Sequence, residues 1–461
     1  MKIAMCSSEV VPFAKTGGLA DVVGALPSAL EEIGNQVIII MPHYKTIQDV
    51  KYNLKKVSED ISFALIGKNI KVYFIKNDAY FNRDSLYGDK NGDYPDNLDR
   101  FSFYCKRALK LLKELNFKPD IIHCHDWQSS LVPVYLKAEL LNDPFYRKIK
   151  VILTIHNIGY QGIFTKDQYP KLGLDWSMFN MEMLEYYDQV NLLKGGMEFC
   201  DIINTVSPTY SKEIQTKEFG FGLEGVLAKR KSSVFGILNG IDYSIWDPAG
   251  DKFIAKNFSE KKIDDKYKNK AHLQKLCGLP QDPKVPVFGV VSRLAEQKGF
   301  DILAEAIEVI CKMPLQLVIL GTGDIKYHNL LEDMVKKYPK AISLNLKFDD
   351  PLAHKIYAGS DIFLMPSKYE PCGLGQLISL RYGTIPLVFK TGGLADTVND
   401  KNGFVFDVYS MEQLVKTMQK AIKAYANKTK WLLLVKDAMR CNFSWEASAK
   451  KYVELYEKAK K

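Results

Sequence analysis

Apolar residues in the first 42 positions fall into two alternating patterns. Ile3 to Cys6 is a short continuous apolar run, Leu19, Val22, Val23, Leu26, Ala29, Leu30 and Ile33 recur at helical spacing, and Val37 to Met41 is continuous again. A run without polar alternation is what a strand buried on both faces requires, and a 3.6-residue repeat marks a helix with one buried face. The segment therefore reads as strand, helix, strand. Gly34 can close the helix, whereas Pro27 inside it is expected to bend or weaken it. Apolar runs recur at Ile121–Cys124, Val151–Ile155, Ile202–Val206 and Val234–Leu238, with helical stretches between most of them. Asn239-Gly240 is a turn signal, and a hinge is expected near Ile241 to Pro248. A second series follows at Val285–Val291, Leu315–Leu320, Ala341–Leu344, Ile362–Met365 and Ile385–Phe389. This alternation predicts an α/β chain of two Rossmann-like, doubly wound domains, 1–241 and 242–443. Ser444 is placed to cap a final helix over 444–461, whose apolar face (Trp445, Ala449, Tyr452, Val453, Tyr456, Ala459) must dock on something.

Composition narrows the class. The 461 residues are 47% hydrophobic and 25% charged, ordinary for a globular chain that needs no covalent staples. The net charge of +9 includes lysine-rich stretches such as Lys261 to Lys275. No aromatic pattern interleaves with them and no nucleic-acid motif appears, so they read as solvated surface, and anionic small substrates stay compatible. The eight cysteines are scattered without a CxxC pair, which fits a reducing compartment. No secretory leader and no membrane-length apolar run is recognised, and a cytoplasmic protein without membrane or nucleic-acid partners is expected. Oligomeric state is not legible.

Ligands of doubly wound sheets bind at the carboxyl ends of strands, so the loops after the runs carry the candidate chemistry. Lys15-Thr16-Gly17-Gly18-Leu19-Ala20-Asp21 recurs letter for letter as Lys390-Thr391-Gly392-Gly393-Leu394-Ala395-Asp396, each copy after an apolar strand and opening a helix. A Gly-Gly turn at a helix start exposes backbone N–H groups to an anion, and Lys15 adds a full charge; the same turn also serves as a plain cap. After Val287–Val291, Arg293 and Lys298 could neutralise a departing diphosphate without a metal, or simply be solvated. Glu370, held before Pro371 in a turn that continues through Cys372, Gly373 and Gly375, could bond sugar hydroxyls or act as a counter-charge. His156 and Asn157 follow the strand ending at Ile155, with Tyr160 offering a flat face for a sugar ring. His123-Cys124-His125-Asp126-Trp127 ends the preceding strand; a metal site there is disfavoured and Asp126 near the reaction centre preferred, because no second ligand cluster accompanies it.

Together these motifs, in order, resemble the bacterial glycogen synthase and plant starch synthase family over nearly the whole chain. They are Ser8-Glu9 with Lys15 to Val22; His125-Asp126-Trp127; Thr154 to Asn157 with Gly162; Asn239 to Asp242 with Trp246 and Pro248; Ser292 to Leu294 with Gln297 to Gly299; Pro366-Ser367 with Glu370 to Leu374; and Thr391 to Leu394 with Asp396 to Val398. The resemblance implies a GT-B fold, two Rossmann-like domains facing a cleft, the first on the acceptor side and the second on the nucleotide-sugar side. It implies retaining, metal-independent transfer of glucose from ADP-glucose to the non-reducing end of an α-1,4-glucan, with no cofactor. It further implies that Lys15, Thr16, Gly17, Gly18 and Asp21 meet the donor, and that Arg293 and Lys298 hold the leaving diphosphate. His156, Asn157, Tyr160, Glu370 and Asp126 would lie around the donor glucose, with Cys372, Gly373, Leu374, Thr391 and Gly392 adding contacts. The final helix would cross back to the first domain. Two departures stand out: Gln128 follows Asp126-Trp127 where some relatives carry histidine, and Lys368-Tyr369 replaces the commoner Arg-Phe. No convincing protein nucleophile is visible. Alternatives are a UDP-glucose-using or other-acceptor GT-B enzyme, a catalytically dead glucan-binding protein, and a phosphorylase dependent on pyridoxal phosphate.

Overall fold

The computed structural model describes every residue from Met1 to Lys461 and divides into two compact units, 1–240 with 445–461, and 241–444. In the N-terminal unit nine strands form one sheet, in the order Val234–Gly236, Ile202–Thr205, Lys150–Ile155, Ile121–His125, Lys2–Cys6, Gln36–Pro42, Ile70–Ile75, Ile61–Ile66 and Lys55–Lys56. The first seven run parallel and the last two are antiparallel. Lys2–Cys6 lies between strands that continue in opposite directions, with Met5 opposite both Ile39 and His123. That is the switch point at which a doubly wound sheet opens a crevice at its carboxyl edge.

The C-terminal unit holds six parallel strands, in the order Ile342–Asn345, Gln316–Leu320, Val287–Val291, Ile362–Met365, Ile385–Phe389 and Phe404–Phe406. This is the dinucleotide-binding order 3-2-1-4-5-6, with the switch point between Val287–Val291 and Ile362–Met365. The loops carrying Arg293 and Glu370 leave those two strands.

Several elements depart from expectation for local reasons. The helix Gly18–Glu32 runs through Pro27 without interruption. Its face of Leu19, Val22, Val23, Leu26 and Leu30 is almost wholly buried, which offsets the hydrogen bond proline removes. The antiparallel pair Ile61–Ile66 and Ile70–Ile75, turned at Gly67 with φ of 57°, was not foreseen, nor was the short Phe404–Phe406. A small sheet of Ile163–Thr165, Gln189–Asn191 and Glu185–Tyr186 was likewise unforeseen. The final helix, Trp445–Lys460, packs against Gly18–Glu32 and the strand Lys150–Ile155, burying Trp445, Ala449, Tyr452 and Tyr456. It is tied there by Ser448 Oγ donating to the Leu238 carbonyl at 2.7 Å.

Candidate active site

In the N-terminal unit the loop after Lys2–Cys6 is organised by a residue that sequence reasoning left out of the site. The buried Glu9 carboxylate accepts from Thr16 N–H (2.5 Å), Thr16 Oγ1 (2.6 Å), Gly17 N–H (3.3 Å) and the Tyr87 hydroxyl (2.7 Å). The expected anion cradle is corrected in one respect. Thr16 and Gly17 already give their amides to Glu9, so the open part of the turn begins at Gly18. Lys15 Nζ pairs with Asp21 at 2.7 Å, the lysine exposed and the carboxylate partly buried. A Cβ added at Gly17 or Gly18 would meet nothing within 4 Å. Glu9 was visible in the sequence only as part of the Ser8-Glu9 pair; what hid its role was the fold that brings Tyr87 to it.

Two further strand ends supply Asp126 and His156. Asp126 sits in the left-handed region at φ of 55°, where its carboxylate accepts the backbone N–H of His156 at 2.7 Å. Burial pushes its carboxyl up to about 7; the His156 N–H works against that shift and the nearby Glu9 charge adds to it. His156 is held neutral by burial, its imidazole lowered to about 3. His156 Nε2 lies 3.0 Å from His125 Nδ1, a partner sequence reasoning did not propose. His123 Nδ1 and Nε2 face Tyr456 Oη at 2.9 Å and Thr154 Oγ1 at 2.7 Å. The Asn157 side chain accepts from Gly159 N–H at 3.0 Å, shaping the loop that leaves Tyr160 exposed.

In the C-terminal unit a cavity of about 160 Å³ opens at the switch point, lined by Arg293, Lys298, Ser367, Glu370 and Leu374 and backed by Phe300 and Met365. Lys298 Nζ lies 2.6 Å from Glu370 Oε2, and Ser367 Oγ donates to the same oxygen at 3.1 Å. A buried carboxylate requires such compensation. Ser367, too, was absent from the residues singled out. Arg293 is exposed, its guanidinium 3.4 Å from Gln297 Oε1. Gln376 Nε2 donates to the carbonyls of Cys372 and Gly373 (2.9 and 3.0 Å), setting the turn before Leu374 starts the helix Gly375–Arg381. Thr391 and Gly392 are buried behind it, and Gly393 N–H donates to the Glu370 carbonyl at 3.1 Å. Lys368 at the departing position points to Glu296, 3.2 Å away.

Two Rossmann-like sheets, the second with a basic and acidic cluster at its switch point, define a glycosyltransferase of the GT-B class. Residues 2–229 match the starch synthase catalytic domain family and residues 278–431 the glycosyl transferases group 1 family. The chain is 50% identical to a glycogen synthase of Geotalea uraniireducens (99% of this chain, 98% of the relative) and 47% identical to one of Thermosipho melanesiensis (100% and 99%). The catalytic domain of Arabidopsis thaliana starch synthase IV, solved bound to ADP and acarbose, superposes with a TM-score of 0.90 at 34% identity, covering 100% and 99% of the two chains. Sucrose-phosphate synthase of Thermosynechococcus elongatus, at 17% identity and a TM-score of 0.63, shares the fold. The chain belongs to the glycogen synthase and starch synthase family, and is a glucosyltransferase of glycogen synthesis.

Proposed function

We propose that the chain transfers glucose from ADP-glucose to the non-reducing end of an α-1,4-glucan, with retention at the anomeric carbon and without a metal ion or cofactor. The observation that carries this reading is the placement of Arg293 and Lys298 beside Glu370 in the switch-point cavity of the C-terminal unit. As the glycosidic C–O bond to the diphosphate breaks, negative charge grows on the leaving oxygen, and a guanidinium fork with an ammonium stabilises it. Glu370 keeps the Lys298 ammonium in place and offers its remaining lone pairs to sugar hydroxyls. The backbone around Cys372, Gly373, Leu374, Thr391 and Gly392 adds donor contacts. From the N-terminal unit, Lys15 and the helix start at Gly18 meet the phosphates, while His156, Asn157, Tyr160 and Asp126 serve the transferring glucosyl group and its acceptor.

Retention follows a same-face route. The acceptor hydroxyl attacks the anomeric carbon on the side ADP leaves, and its proton passes to the departing phosphate oxygen. None of the eight cysteines is joined in a disulfide, consistent with a cytoplasmic setting. Purified protein is given ADP-glucose or UDP-glucose with maltooligosaccharide, with and without EDTA, and products are sized and their new linkage read by NMR. Elongation by α-1,4 linkage, preference for ADP-glucose and indifference to EDTA are expected. Faster turnover with UDP-glucose would select the other GT-B reading, and no elongation with either donor would defeat both.

A further inference from the structure

Behind His156 stands a row of buried imidazoles. His123 and His125 are two apart on one strand and share a face, with ring centroids 4.2 Å apart, and the His125 and His156 centroids are 5.3 Å apart. His125 Nδ1 and His156 Nε2 are 3.0 Å apart, so one of them carries the proton between them. His125 Nε2 is enclosed and has no partner, and His123 offers it none, because both its nitrogens are engaged by Tyr456 and Thr154. Burial keeps all three rings neutral near pH 7, so each has a single ring N–H.

Only two arrangements remain. If His156 Nε2–H donates to His125 Nδ1, the His125 proton sits on Nε2 as an enclosed donor without an acceptor. If His125 Nδ1–H donates to His156 Nε2, the enclosed atom is a bare lone pair. Among buried backbone groups an orphaned N–H is rarer than an under-satisfied acceptor, and by the same physics the bare lone pair is the lesser defect here. We infer that His125 is a positioning residue that donates its Nδ1–H to His156 Nε2 and thereby fixes His156 as the Nδ1–H tautomer. His156 then turns a neutral hydrogen-bond donor, rather than an acceptor, toward a hydroxyl oxygen of the transferring glucosyl group. A neutral ring also avoids opposing the positive charge that group develops. The sugar contact rests on the role proposed for His156; the tautomer does not.

The test is long-range proton–nitrogen correlation NMR on the full-length enzyme labelled with ¹⁵N-histidine, with the His156→Ala spectrum assigning the ring. The expected result is a His156 proton on Nδ1. His125→Phe is expected to lower kcat about tenfold, the effect of one lost hydrogen bond, with the glucan KM unchanged. His125→Asn, whose amide N–H can stand in for Nδ1–H, is expected to recover most of that loss. A His156 proton on Nε2 in the unmodified enzyme overturns the inference, as does a His125→Phe enzyme of undiminished kcat. If His156→Ala itself turns over normally, the sugar contact falls, and the NMR result on the unmodified enzyme still decides the tautomer.

Discussion

Lys298 makes one contact whose loss separates catalysis from folding. Its ammonium is 2.6 Å from a Glu370 carboxylate that is only 8% exposed. Lys298→Ala is expected to lower kcat by about 100-fold, the scale of losing one preorganised charge at a leaving group, with the glucan KM little changed. It also strands Glu370, at a stability cost of about 3 kcal/mol. Adding Glu370→Gln is expected to recover the melting temperature without recovering turnover; recovered turnover would reduce Lys298 to a structural counter-ion. The duplicated heptapeptide makes a second contrast. At Gly393 an added Cβ would lie 2.1 Å from the Cys372 carbonyl oxygen, whereas at its counterpart Gly18, and at Gly17 with φ of −153°, it meets nothing within 4 Å. Gly393→Ala is expected to cost about 2 kcal/mol or more in chemical denaturation. Gly17→Ala is expected to cost under about 1 kcal/mol yet to raise the donor KM, because the methyl enters space kept open for ligand. A Gly17→Ala enzyme with unaltered donor kinetics would argue against that use of the turn. Asp126, pushed up to about 7 mainly by burial, is expected to give the kcat/KM profile a limb near pH 7 that Asp126→Asn abolishes.

Among the elements, the final helix shows what packing adds to a periodicity. Its apolar face was legible, but not that Tyr456 reaches His123 at 2.9 Å. Tyr456→Phe is expected to cost about 1 kcal/mol and Tyr456→Ala about 4 kcal/mol in denaturant titration. Equal costs would mean that the ring fills no core. The central strands of both sheets were legible because strands covered on both faces read as unbroken apolar runs. Those missed lie toward the sheet edges, except Ile70–Ile75, which pairs on both sides and whose apolar run is broken by Lys71. Ile61–Ile66 is only partly buried and follows no regular in-out period, and Phe404–Phe406 is three residues long, too short for any period to register. The site divides in the same way. Residues in the loops after strand ends, such as Asp126, His156, Arg293 and Glu370, stood out as candidates by position, with their roles resting on the family resemblance. Glu9, Tyr87, His125 and Ser367 act through partners distant in sequence or through side-chain direction, which spacing does not encode.

At the scale of the whole molecule, the buried titratable groups give the two units different responses to acid. His123 and His156 are lowered from the ordinary 6.5 to about 3, and His125 well below 6.5, all mainly by burial. As pH falls below 6.5 the unfolded chain takes up these protons while the fold refuses them, His123 and His156 down to about pH 3, so the stability they contribute is lost as pH falls from 6.5. Asp126 acts in reverse. The unfolded carboxyl ionises above 3.8 while the folded one holds its proton to about 7, so its contribution falls as pH rises. Between about pH 4 and 6 the three imidazoles outweigh the one carboxyl, so these groups make the N-terminal unit lose stability as it is acidified. In the C-terminal unit the buried Lys266 is lowered from 10.5 to about 7, so its window lies above pH 7 and adds no slope in acid. Hydrogen exchange read by mass spectrometry at pH 7, 6 and 5, corrected for intrinsic rates, is therefore expected to show protection falling first at Ile121–His125, Lys150–Ile155 and Trp445–Lys460. Val287–Val291 and Ile362–Met365 are expected to hold. If the C-terminal strands open first, or both sets open together, the imidazole row behind His156 does not govern the acid limb, and its burial in the neutral state would have to be abandoned.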